Sequence, residues 1–173
     1  MFKQVISTVA LAVLAVFSGQ AMAADAVSPT ATATFQVKMT IVKACSVTAG
    51  TASDIDLGSV LSTAVNVSGS NTISVTCSKN TPYFIGLQPT GTNTNGAGEM
   101  VSATTTDKVP YQLHSASATG PVWGNTATPT AVGNGVADTG TGAAKTHTVY
   151  AVAASANFTP GSYADTVTVT INY

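Results

Sequence analysis

The chain has 173 residues, of which 45% are hydrophobic and only 8% charged, with a formal net charge of −1. All six basic residues are Lys, so no Arg-bearing basic face for nucleic acid can be assembled, and the low charge and high apolar content exclude an intrinsically disordered chain. Thr, Ala, Val, Ser and Gly dominate, which favours short β-strands joined by polar turns, and the length suits one domain, or one domain with an appendage.

The N-terminus opens with Lys3, an apolar run from Val5 to Phe17, and the small-x-small sequence Ala21-Met22-Ala23. This pattern predicts a signal peptide over residues 1–23, cut after Ala23. The apolar run is shorter than the about 20 residues that a membrane-spanning helix requires. Export carries Cys45 and Cys77, the only two cysteines, into an oxidising compartment, where an even count predicts one disulfide between them.

After a short leader containing Pro29 comes the cleanest alternation in the chain. Ala31, Ala33, Phe35, Val37, Met39 and Ile41 occupy every second place, with Thr32, Thr34, Gln36, Lys38 and Thr40 between them. Period two over this length predicts a β-strand with one buried and one wet face. Such a row needs an apolar groove, and two readings stay open. If its own domain supplies the groove, the chain is an ordinary sandwich; if a neighbour does, the chain polymerises.

Residues 43–47 predict a short second strand carrying Cys45, and residues 54–60 a strand or turn piece with Ile55 and Leu57 inward. Ile73, Val75 and Cys77 alternate with Thr72, Ser74 and Thr76, and Tyr83, Ile85 and Leu87 form the next strand. Residues 90–108 are rich in Thr, Gly, Asn and Ser and suggest a loop or ragged hairpin around Asn95-Gly96. Val109, Tyr111 and Leu113 make another strand. Trp123 precedes a Gly-, Thr- and Asn-rich stretch with a tight turn at Asn134-Gly135. Residues 146–152 and 163–173 predict the last two strands, joined through Pro160-Gly161. With no amphipathic helix of useful length, the pattern predicts an all-β antiparallel sandwich.

No chemistry-bearing motif emerges. The chain lacks HExxH, a spaced Cys/His set and a G-x-S-x-G elbow, and Gly133-x-Gly135 lacks the third glycine and the helix of a dinucleotide site. Asp54 and Asp56 lack the glycine and distal Glu of a calcium loop and suit a solvated edge. His114 and His147 fall on separate strands as surface or half-buried residues. The expectation is no enzyme, no catalytic residue, no metal and no cofactor.

Several segments follow one another in a familiar order: Cys45-Ser46-Val47, Ile55-Asp56-Leu57-Gly58, Ile73-Ser74-Val75-Thr76-Cys77 and Val109-Pro110-Tyr111-Gln112-Leu113. Trp123-Gly124, Thr148-Val149-Tyr150 and the run from Pro160-Gly161-Ser162-Tyr163 to Val169 complete the set. From about Phe35 to Tyr173 the chain resembles the spore coat protein U family, which includes subunits of archaic chaperone–usher pili. The resemblance implies an immunoglobulin-like sandwich lacking its last strand (residues 44–173) behind an N-terminal extension (residues 24–43). A missing strand leaves an apolar groove and an open sheet edge that demand a partner.

On this reading a periplasmic chaperone lends a strand, an outer-membrane usher assembles the subunits, and the next subunit's extension replaces the chaperone. Ala33, Phe35, Val37, Met39 and Ile41 are then the donor residues that fill a neighbour's groove. The terminal strand, with Val167, Val169, Ile171 and Tyr173 alternating inward, is the chaperone-facing edge. The implied function is a structural subunit exported through the periplasm to a surface pilus or coat that supports adhesion and biofilm. The competing reading is a secreted monomeric sandwich that binds carbohydrate or a surface.

Overall fold

The computed structural model describes residues 30–173. The expected signal peptide, residues 1–23, lies outside the described residues. Eight strands follow in order: β1 (Cys45–Thr48), β2 (Val65–Cys77), β3 (Pro82–Pro89), β4 (Ala97–Val101), β5 (Lys108–His114), β6 (Val136–Thr139), β7 (Ala144–Ser155) and β8 (Val167–Asn172). A single 3-10 turn, Thr51–Ser53, follows β1. The strands form two antiparallel sheets, β1-β2-β7-β5-β4 and β6-β3-β8.

The core is built by the alternation that the sequence displays. Ile73, Val75 and Cys77 of β2, Tyr83, Ile85 and Leu87 of β3, Val109, Tyr111 and Leu113 of β5, and Val149, Ala151 and Ala153 of β7 are all buried. Their polar neighbours face outward, as a period of two requires. Trp123 ties the sheets together. Its backbone N–H donates to Leu113 O in one sheet, and its indole N–H donates to Ile85 O in the other, both at 2.9 Å. Cys45 and Cys77 sit directly opposite each other in the β1–β2 register and form the expected disulfide. Closing a loop of 32 residues in this way stabilises the fold by roughly 3–4 kcal/mol in the chain-entropy model.

Three local expectations change. Residues 90–108 hold β4, whose sequence Ala97-Gly98-Glu99-Met100-Val101 is poor in β-formers. The strand forms because β5 offers it an edge and because Tyr111, opposite Gly98, lays its ring over that glycine. A Cβ on Gly98 would stand 2.5 Å from the ring. A further strand, β6, follows the Asn134-Gly135 turn. Of the two forms expected for residues 54–60 the strand is absent, and Ile55 and Leu57 pack against the core as expected. The terminal strand is shorter than residues 163–173. It runs from Val167 to Asn172, with Val167, Val169 and Ile171 packed against the core. Tyr173 lies past its end and is exposed, so it does not continue the inward row. Past the end of β8 no ladder holds the Tyr173 side chain inward, and its ring lies 5.9 Å from the Lys43 ammonium.

Candidate functional site

Strand β8 ends its sheet. It pairs with β3 from Val167 opposite Pro89 to Asn172 opposite Phe84, and among the described residues no strand pairs with its other edge. Half of its backbone donors and acceptors therefore face away from the protein's own ladder. An open edge of this kind is a template for another strand.

Across from that edge, the chain after β1 changes layer. Asn71, on the inner face of β2, donates through Nδ2 to Asp54 O at 2.7 Å and to Ala52 O at 3.1 Å. Gly69 lets the same segment lie close over β2: a Cβ there would be 2.9 Å from Asp56 O and 3.0 Å from Ile55 Cγ2. Residues 52–57 thus pass across the inner face of β2 rather than extending its sheet. Between them and β8 lies a cleft of about 700 Å³.

Ile55 and Leu57 line one bank of this cleft, and Tyr163, Val167 and Val169 line the other. Its floor is the core itself, with Ile73, Leu87, Tyr111 and Leu113 reaching it. The lining is apolar inside and acidic at the rim, where Asp54, Asp56 and Asp165 stand. Asp165 accepts the Tyr111 hydroxyl at 2.8 Å and its own neighbour's N–H, from Thr166, at 2.7 Å. Burial, reinforced by this carboxylate, pushes the Tyr111 phenol well above its ordinary range, so the hydroxyl remains a donor. A cleft with an apolar floor thus lies beside an unpaired strand edge, the two features that strand addition uses.

The alternating segment expected at residues 31–41 forms no strand here. Residues 30–44 make no ladder, and Phe35 and Val37 are each 88% exposed, Met39 81% and Ile41 79%. Ala33 is exposed as well. The structure thus brings Val167 and Val169 to the cleft and leaves Ala33, Phe35, Val37, Met39 and Ile41 in solvent.

A second polar cluster lies between the sheets. The Tyr83 hydroxyl is 3.2 Å from Asp138 Oδ2 and 3.0 Å from His147 Nε2, while Lys145 pairs with Asp138 Oδ1. Burial, then the Asp138 charge, pushes Tyr83 up to about 12. Burial holds His147 below its ordinary value, against the pull of Asp138. Burial also opposes the Asp138 charge, but hydrogen bonds from Lys145 and the Thr139 N–H outweigh it and leave that carboxyl below the usual range. Every member is partnered, so the cluster joins β3, β6 and β7 as a structural tie. Among the described residues no group of His, Cys, Asp and Glu could hold a metal ion.

Sequence reasoning missed Asn71, Gly69 and Asp165. Asn71 and Gly69 interrupt the inward row of β2, which was the available signal that another segment crosses there.

The comparisons with known proteins agree with this architecture. No curated protein matches the chain. One similar solved structure is the CsuC–CsuE chaperone–tip adhesion subunit pre-assembly complex from the archaic chaperone–usher Csu pili of Acinetobacter baumannii. The likeness has a TM-score of 0.50 at 17% identity and covers 78% of this chain and 40% of that one. This chain therefore spans well under half the length of its structural neighbour. A chaperone–tip adhesin complex of CFA/I fimbriae biogenesis is more distant, with a TM-score of 0.42 at 14% identity over 69% of this chain and 38% of that one. The shared fold is an immunoglobulin-like antiparallel sandwich. The family model of the Spore Coat Protein U domain matches residues 31–170, taking in the alternating N-terminal segment together with both sheets, and the chain belongs to that family.

Proposed function

We propose that this chain is a structural subunit of a chaperone–usher surface fibre, which polymerises by inserting residues 31–41 of one copy into the cleft beside β8 of the next. The observation that carries this reading is complementarity within one chain: an apolar trough with an unpaired strand edge, and an exposed row of alternating apolar residues. Contact between one copy's extension and another's cleft is heterologous, so it propagates into an open filament rather than a closed ring. Before assembly the same cleft would be covered by a strand lent by a periplasmic chaperone, and an outer-membrane usher would deliver subunits to the cell surface. A self-contained binding module would have no comparable need to leave Phe35, Val37, Met39 and Ile41 in water.

Magnitudes support a cooperative joint. Burying four large apolar side chains contributes about 6–12 kcal/mol, at 1.5–3 kcal/mol each. Association costs about 4–15 kcal/mol in lost freedom, so ladder hydrogen bonds to β8, at roughly 0.5–1.5 kcal/mol each, would be needed to hold the fibre. Loss of one inward side chain would then be decisive. Val37→Asp places a carboxylate in an apolar trough and should abolish polymer while leaving the folded, chaperone-bound subunit intact. Gln36→Thr, on the wet face, should be silent. Light scattering of the assembled product and thermal melting of the chaperone complex measure the two effects. Unfolding of the Val37→Asp subunit within its chaperone complex would assign the segment to its own sandwich and remove the reading.

A further inference from the structure

An apolar row of period two cannot set its own register. Sliding a donor segment by one residue would turn its polar face inward and is excluded. Sliding it by two, however, keeps Ala33, Phe35, Val37, Met39 and Ile41 on the inward side and merely moves each to the next position. Something other than apolar alternation must discriminate among these slips. Residues 31–42 contain one ionisable side chain, Lys38.

The cleft has a matching feature. On the bank formed by residues 54–57, Ile55 and Leu57 turn inward, and Asp54 and Asp56 are the exposed residues that alternate with them. A strand lying in the cleft with Val37 and Met39 inward must turn Lys38 outward, on the same side as those two carboxylates. Among the described residues the Asp54 side chain makes no hydrogen bond, and Asp56 Oδ1 accepts only the Gly58 N–H, at 2.8 Å. The third rim carboxylate, Asp165, is already engaged by Tyr111 and Thr166. Of the other lysines among the described residues, Lys108 pairs with Glu99, Lys145 with Asp138, Lys43 lies over the Tyr173 ring, and Lys79, beyond β2, makes no ion pair with a described residue.

We propose that Lys38 is the register-setting residue of the joint, seated between Asp54 and Asp56 of the neighbouring copy. This rests on the donor-segment reading above. In a slip of two residues Gln36 or Thr40 replaces Lys38 at that place, and the ammonium moves about 7 Å along the bank, so that it stays beside at most one of the two carboxylates. An exposed pair contributes little to affinity but separates registers that are otherwise alike.

The test uses full-length mature chains and follows assembly by light scattering at low and raised salt. Lys38→Glu, which sets like charges side by side, should assemble about tenfold more weakly at low salt. Asp54→Lys combined with Asp56→Lys should do the same. A chain carrying all three changes should regain most of the loss, because every joint then pairs opposite charges again, and raised salt should shrink all the differences. Lys38→Glu alters no residue of the domain, so its outcome stands even if the double Asp variant folds poorly. Normal assembly of Lys38→Glu at low salt, in a preparation where Val37→Asp forms no polymer, would overturn the register claim and leave the docking reading standing. Normal assembly of both variants would overturn the two together.

Discussion

Phe35, Val37, Met39 and Ile41 alternate with polar residues just as Val167, Val169 and Ile171 do in β8. The first set nevertheless stands in solvent, while the second packs against the core. β8 has β3 on one edge and, among the described residues, no strand on the other, and residues 31–41 pair with no described strand. Each region lacks what the other could provide: β8 wants a neighbouring backbone, and the extension wants an apolar face to lie on. Alternation therefore encodes an amphipathic strand without encoding which molecule supplies the partner.

The sharpest way to break this comparison is to place the same change in both regions. Val169→Asp puts a carboxylate against the core from β8 and should unfold the domain, a loss of several kcal/mol visible as collapse of the thermal transition. Val37→Asp should leave the melting temperature of the chaperone-bound subunit where it was. Equal destabilisation by the two would erase the distinction between them.

The disulfide gives the next largest effect and sharpens the comparison from the other side. Cys45 stands at the junction between the extension and the domain, so its bond to Cys77 anchors the base from which residues 31–41 depart. Replacing both cysteines with Ser should cost roughly 3–4 kcal/mol of domain stability, read by denaturant unfolding, without changing the exposure of Phe35. Free thiols in protein prepared under oxidising conditions would contradict the bond itself.

The smallest effect is a dependence on pH. His147 is held below 6.5 by burial, so below about that pH the unfolded chain binds a proton that the folded domain resists. Stability is complete above this value and declines as pH falls through it towards the lower folded value. Asp138, also held low, adds a loss of the same sign in stronger acid. His147→Gln should flatten the first decline in melting experiments between neutral and mildly acidic pH. The extension, with no carboxylate or His among residues 31–41, should contribute nothing to the slope.

Much of the fold was legible because a buried strand face imposes period two on its sequence: β2, β3, β5 and β7 announce themselves through Ile73, Tyr83, Leu113 and Val149. β4 and β6 were not, because Gly98, Glu99 and Asp138 have low strand preference, and these strands form only when β5 and β3 offer edges. The cleft was legible only indirectly. Its existence depends on residues 52–57 crossing over β2, which Asn71 and Gly69 permit through contacts far apart in the chain. The alternation of the extension was plain, but exposure is a property of surroundings, and no local pattern reports it.

The most direct measurement is amide hydrogen exchange on the monomeric, chaperone-bound subunit and on the assembled fibre, following Phe35, Val37, Met39 and Ile41 of the extension. In the subunit these amides should exchange at rates close to those of an unstructured chain, and in the fibre they should be strongly protected as they join the free edge of β8. A fibre in which they still exchange freely, or a subunit in which they are already protected, would contradict the account.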